Sequence, residues 1–188
     1  MASIGGADTA HQMSRELTRI VLTGSESVGK TTLGLQLAAR YGLTCVPEFV
    51  RDYAAAKGAP LDDGDHGPIA MGQMAREDAH IAAAIARSDT LLLQDTDLIS
   101  TVVYCHHYFG RCPAFIEQAA MARRAAHYLL LEIDVPWIAD GIRDREARRV
   151  DVQTLFRNTL ARFDAPVTVV QGTWETRFAT AAALIDAL

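Results

Sequence analysis

The chain has 188 residues, 49 % of them hydrophobic and 22 % charged, and a formal net charge of -5 at pH 7. That size and apolar content suit one compact α/β domain whose core needs no metal or crosslink, and they leave no room for a second full domain. The acidic balance argues against a nucleic-acid or membrane surface, each of which wants a basic patch to meet phosphates, and no apolar run approaches the roughly 18 residues of a membrane span.

Residues 1–17 lack both a basic n-region and an apolar h-region, so they are not a secretion signal and read as a flexible extension. The folded domain is expected over 18–188. Its three cysteines, Cys45, Cys105 and Cys112, are odd in number and widely spaced, which fits reduced thiols and a cytoplasmic protein. A zinc site built from Cys105, His106, His107 and Cys112 would lack the usual CxxC pair, and ordinary helix residues are the simpler reading.

The apolar run Ile20-Val21-Leu22 reads as a buried strand, and Leu33, Leu37 and Ala38 fall on one face of a helix. Between them, Gly24-Ser25-Glu26-Ser27-Val28-Gly29-Lys30-Thr31 fills the GxxxxGK[ST] pattern, with Thr32 following. Strand, glycine loop and helix is the order a phosphate-binding P-loop requires. Backbone N–H groups and the positive end of the helix dipole then meet the β-phosphate, and the Lys30 ammonium reaches the β- and γ-oxygens. The Thr31 hydroxyl is the expected ligand of a Mg²⁺ carried in with the nucleotide.

Further apolar runs near 43–47, 90–95, 128–133 and 166–171 alternate with helical stretches. This predicts a parallel sheet of about five strands with helices on both faces. Residues 58–67 carry the Gly, Pro and Asp of a loop. Helices are expected over about 69–87, 100–109, 113–127 and 144–163, and a last one over 173–188 capped by Thr173.

In an open α/β sheet the ligand lies at the carboxyl ends of the strands, so polar residues there carry the chemistry. After the second strand stand Glu48, Arg51 and Asp52. Either carboxylate could take a proton from a substrate hydroxyl, Arg51 could hold a polar substrate group, and the alternative is an acidic helix start matching the dipole. After the third strand, Asp95 suits a Walker-B-type aspartate that holds Mg²⁺ directly or through water. Asp97 is open to two readings, a ligand of ribose hydroxyls or the N-cap of the next helix.

After the fourth strand, Trp137, Asp140 and Arg143 lead into Arg148 and Arg149. Guanidinium groups there would form a lid, around 137–150, that closes over the triphosphate. Trp137 would stack on a flat, positively charged ring; a core tryptophan and a solvated basic helix face are the bland alternative. After the fifth strand, Gln171 to Arg177 is either a flank of the adenine site or a plain turn and helix start.

Taken together, the P-loop run, Val46-Pro47-Glu48-Phe49-Val50-Arg51-Asp52-Tyr53, Asp95-Thr96-Asp97 and Asp134-Val135-Pro136-Trp137 followed by Asp140-Gly141-Ile142-Arg143 resemble the ribosylnicotinamide kinase domain at the C-terminus of bacterial NadR proteins, its stand-alone relatives and AAA-like ATPases. The resemblance runs from about residue 18 to the end. It implies a nucleoside-kinase-like P-loop fold and ATP- and Mg²⁺-dependent phosphorylation of the 5′-hydroxyl of nicotinamide riboside, yielding the mononucleotide for NAD salvage. The resemblance does not extend to NadR's adenylyltransferase domain or its DNA-binding segment, so those activities are not expected of these residues. Lys30, Glu48 or Asp52, and Arg143 would then be catalytic. Glu48, Arg51, Asp97, Trp137 and Asp140 would hold the substrate, and Thr31 and Asp95 the metal. Two other readings stand beside it: a P-loop ATPase acting as a nucleotide-responsive switch, and a kinase for another nucleoside or small alcohol.

Overall fold

The computed structural model describes residues 17–136 and 148–188. Strands β1 (Thr18–Thr23), β2 (Cys45–Val46), β3 (Leu91–Asp95), β4 (His127–Leu131) and β5 (Val167–Val170) form one sheet in the order β2-β3-β1-β4-β5, every neighbouring pair parallel. The connections carry helices α1 (Lys30–Tyr41), α2 (Phe49–Lys57), α3 (His66–Ala86), α4 (Leu98–Phe109), α5 (Ala114–Ala122), α6 (Arg149–Arg162) and α7 (Trp174–Asp186), with a 3-10 turn at Asp63–Asp65 before α3. β2 is shorter than the apolar run around it because Pro47 has no N–H to continue the ladder. α3 starts at His66, inside the stretch expected as loop, where the turn at Asp63–Asp65 leads directly into it.

Alternation along the strands sorts the core into two layers. Ile20, Leu22, Leu93, Leu129 and Leu131 pack with Leu33 and Leu37 of α1 and Ala181 and Ile185 of α7. Val21, Tyr128 and Leu130 face the other way, onto Val102 of α4, Ile116 of α5 and Phe156 of α6. A strand covered on both faces must be apolar at nearly every position, and Leu91 to Leu93 are buried throughout. Each such leucine contributes about 1.5–3 kcal/mol. Among the described residues, no helix is long and apolar enough to cross a membrane.

Parallel pairing brings all five carboxyl ends to one edge. There β1 runs into the phosphate loop, β2 into Pro47 and Glu48, β3 into Thr96 and Asp97, β4 into Glu132 to Asp134, and β5 into Gln171 and Gly172.

Candidate nucleotide and acceptor site

The loop leaves β1 at Thr23 and enters α1 at Lys30. Gly29 is the N-cap of α1, with φ 86, and no side chain caps the helix. The first-turn amides are therefore directed into the loop, the arrangement that binds anions at a helix start. A Cβ at Gly29 would lie 2.2 Å from Cη2 of Trp174, so a side chain there would have to displace the indole. The Lys30 ammonium lies across the loop, donating to the carbonyl oxygens of Gly24 at 3.0 Å and Ser25 at 2.7 Å. Thr32, which follows the loop, is an exposed residue of α1.

Later elements brace this loop. Gln153 of α6 accepts from the Ser25 N–H at 2.9 Å and donates to the Leu131 carbonyl at 2.9 Å. Arg149, one turn earlier, reaches the carbonyls of Val135 at 3.2 Å and Ser27 at 3.4 Å. From the opposite layer the wholly buried Arg177 donates to the carbonyls of Val28 (2.9 Å), Glu132 (2.8 Å) and Gly172 (3.1 Å) and pairs with the Asp134 carboxylate. Burial alone would raise the Asp134 carboxyl, but the Gly172 N–H and the Arg177 guanidinium hold it below the usual carboxylate range.

At the end of β3, the Thr31 hydroxyl donates to Asp95 Oδ2 at 2.5 Å, and Asp95 Oδ1 is buried with no hydrogen-bond partner. Burial raises the Asp95 carboxyl against the opposing pull of Lys30 and Thr31. A hydroxyl beside a carboxylate with an unused oxygen fits a hard divalent cation whose remaining ligands are water and phosphate. Among the described residues, no three His, Cys, Asp or Glu side chains gather to hold a metal by themselves.

Thr96 follows with φ 67, a left-handed conformation that is strained for a β-branched residue. The turn it makes sends the carboxylates on either side of it to different places: Asp95 meets the phosphate loop, and Asp97 lines a cavity of about 780 Å³. That cavity begins at Glu26 of the loop and is bounded also by Glu48, Arg51, Gln73 and Tyr104.

Glu48 is buried there and accepts from Arg51 Nε at 2.9 Å. Asp52 is not part of the cavity wall; its side chain is 70 % exposed and pairs with Arg76 at 2.7 Å. Asp97 is the N-cap of α4 and also lines the cavity. Its Oδ1 caps α4 through the Ile99 N–H at 2.9 Å, its Oδ2 accepts from the Tyr128 hydroxyl at 2.8 Å, and it still forms part of the wall. Burial, and after it the charge of Glu77, push this carboxyl up to about 7. Trp137, Asp140, Arg143 and most of the expected lid lie outside the described residues.

Sequence reasoning missed several residues of the site. Tyr104 and Tyr108 stack 6.0 Å apart along the cavity side of α4, and their i, i+4 spacing was the available signal. Gln73 sits in an Ala-rich helix with nothing to mark it. Arg177 was read only as the end of the Gln171 to Arg177 turn, yet it shares one helical face with Ala181 and Ile185, both buried, and that spacing marks it for burial with them.

A parallel sheet with a phosphate loop after its central strand, an aspartate ending the neighbouring strand and a cavity beside both defines a P-loop kinase fold. The chain belongs to the AAA domain family, whose model matches residues 19–177. It is 31 % identical over 128 residues to the trifunctional NAD biosynthesis/regulator protein NadR of Salmonella typhimurium and, equally, to that of Escherichia coli K12. Each alignment covers 66 % of this chain and 30 % of the relative, so the chain spans less than a third of the curated proteins it matches. Among solved structures, NadR in complex with NR superimposes with a TM-score of 0.75 at 23 % identity, covering 93 % of this chain and 52 % of that one. NadR with NAD and AMP-PNP gives 0.74 at 23 % identity, over 91 % and 49 %. Thymidylate kinase from Ehrlichia chaffeensis gives 0.67 at 15 % identity, over 92 % and 100 %. At these identities the structural matches establish the fold.

Proposed function

We propose that this protein is an ATP-dependent kinase that transfers a phosphoryl group to the 5′-hydroxyl of nicotinamide riboside, forming the mononucleotide used in NAD salvage. The observation that carries this reading is that Glu48, Arg51 and Asp97, from two different strand ends, line one cavity that starts at Glu26 of the phosphate loop. A nucleotide switch has no need of an acceptor cleft beside its phosphates. The likeness to NadR, one of whose structures holds NR, supports the choice of acceptor.

In this reading the triphosphate lies in the amide-lined loop with Lys30 on its β- and γ-oxygens. Thr31 and Asp95 would hold Mg²⁺, which supplies neutralising charge to those oxygens when bound. Glu48 accepts the proton as the 5′-oxygen attacks, and it suits that role better than Asp52, whose carboxylate is turned to solvent and engaged by Arg76. Asp97 receives ribose hydroxyls. Lys30 and Arg149, both at the loop, offset the charge of the phosphoryl group in transit. Because phosphoryl transfer passes through a loose transition state, positioning and charge account for most of the rate gain.

The test is ATP consumption by the purified protein with Mg²⁺, alone and with a panel of nucleosides. The expected result is ADP release matched by nicotinamide mononucleotide when nicotinamide riboside is present. Equal ATP hydrolysis with and without every nucleoside would overturn the assignment.

A further inference from the structure

Helix α2 begins at Phe49, and Glu48, at its N-cap position, does not use its own side chain to cap it. A helix start leaves orphan N–H groups that need partners. Here the first of them is served from another helix: Gln73 Oε1 of α3 accepts from the Phe49 N–H at 3.1 Å. The orientation of that amide is fixed from behind. Gln73 Nε2 donates to Glu77 Oε1 at 3.0 Å, and the other Glu77 oxygen is held by Arg123 at 3.2 Å. An ionised carboxylate only accepts hydrogen bonds, so Gln73 must turn its NH₂ to Glu77 and its oxygen to Phe49.

The rest of this α3 face is shaped to the same end. A Cβ on Gly72 would lie 2.1 Å from Phe49 Cζ, so the ring rests directly on the helix backbone. Arg76 lies 5.0 Å from the centroid of that ring, and its Nη1 donates to the Glu48 carbonyl at 3.1 Å.

We propose that Gln73 and Glu77 are positioning residues: by supplying the cap of α2 from α3, this amide–carboxylate pair sets the backbone at Glu48 and leaves its carboxylate directed at the acceptor. The proposal rests on the kinase reading for its catalytic consequence, but its structural half is readable without a substrate. It applies to Glu48 and not to the phosphate loop, so acceptor turnover should respond while ATP binding does not.

A charge swap tests it. Gln73→Glu sets two carboxylates against each other in a buried site. Gln73→Glu with Glu77→Gln restores one carboxylate and one amide with their places exchanged, so that residue 73 again accepts from Phe49 and residue 77 donates to residue 73. In the unliganded protein, hydrogen exchange at the Phe49 amide is expected to quicken about tenfold in Gln73→Ala, which removes the acceptor, and to stay within about threefold of wild type in the double variant, the scale of one hydrogen bond. With nicotinamide riboside as acceptor, kcat should fall and recover in parallel, with KM for ATP unchanged. Adding Glu77→Gln to Gln73→Ala should restore neither. An unchanged Phe49 exchange rate in Gln73→Ala, or no recovery in the swap, overturns the proposal. Wild-type protein that fails to phosphorylate nicotinamide riboside overturns the kinase reading instead, while the exchange data still decide whether α3 caps α2.

Discussion

Arg177 Nη1 lies 2.9 Å from the carbonyl oxygen of Val28, joining the last helix to the phosphate loop across 149 residues of sequence. The same guanidinium serves Glu132, Gly172 and Asp134, so one fully buried cation ties the ends of β1, β4 and β5 together. Truncation would leave several buried acceptors without a donor. Arg177→Met is therefore expected to lose about 3–5 kcal/mol of folding stability, measured by urea denaturation. Arg177→Lys should also destabilise, because one ammonium cannot span the fork of acceptors.

Gly29 answers to two constraints at once, its φ of 86 and the Trp174 ring. Gly29→Ala is expected to abolish nucleotide binding in a titration with a fluorescent ATP analogue. Adding Trp174→Ala removes the collision but not the backbone strain, so the double variant should recover stability in part and bind weakly. Full recovery would mean that the left-handed conformation costs nothing there, contrary to the steric account.

The pairing of Thr31 with Asp95 sets an expectation for metal dependence. Thr31→Ala and Asp95→Asn should each raise the Mg²⁺ concentration needed for half-maximal turnover by about tenfold or more. Lys30→Ala should lower kcat by about 10²–10³ at saturating Mg²⁺. A metal requirement identical to wild type in Asp95→Asn would remove Asp95 from the site.

Asp65 provides a pH test of the scaffold. The Lys57 ammonium, the Asp62 N–H and the Tyr53 hydroxyl together lower its carboxyl from 3.8 to about 2. A carboxyl depressed by folding contributes stability above its unfolded value, and that contribution is lost as pH falls through the folded one. Asp65→Asn should therefore cost about 1–2 kcal/mol at pH 7. Its deficit in Tm relative to wild type should shrink between pH 4 and pH 2.

Much of this architecture was legible because its signals are local. The glycine loop, the five apolar runs and the Thr173 cap, which accepts from the Thr176 N–H, each depend on neighbours in sequence. The hidden part depends on contacts between distant elements. Nothing near Gln73 in sequence says that it meets Phe49, and the separation of Glu48 from Asp52 depends on where Arg76 of another helix comes to lie. Asp97 shows a third case: a ribose ligand and a helix cap were posed as alternatives, and the side chain that caps α4 also lines the cavity, so the cap does not decide between them.

Thr96 has a consequence for how this protein can change over generations. A left-handed β-branched residue carries a standing penalty on the order of 1–3 kcal/mol, so a lineage selected for heat endurance alone would drift toward glycine or asparagine at that turn. Retention of threonine would then point to a use of its own side chain, which lines the cavity, because glycine or asparagine at that turn would keep the two acids beside it apart equally well.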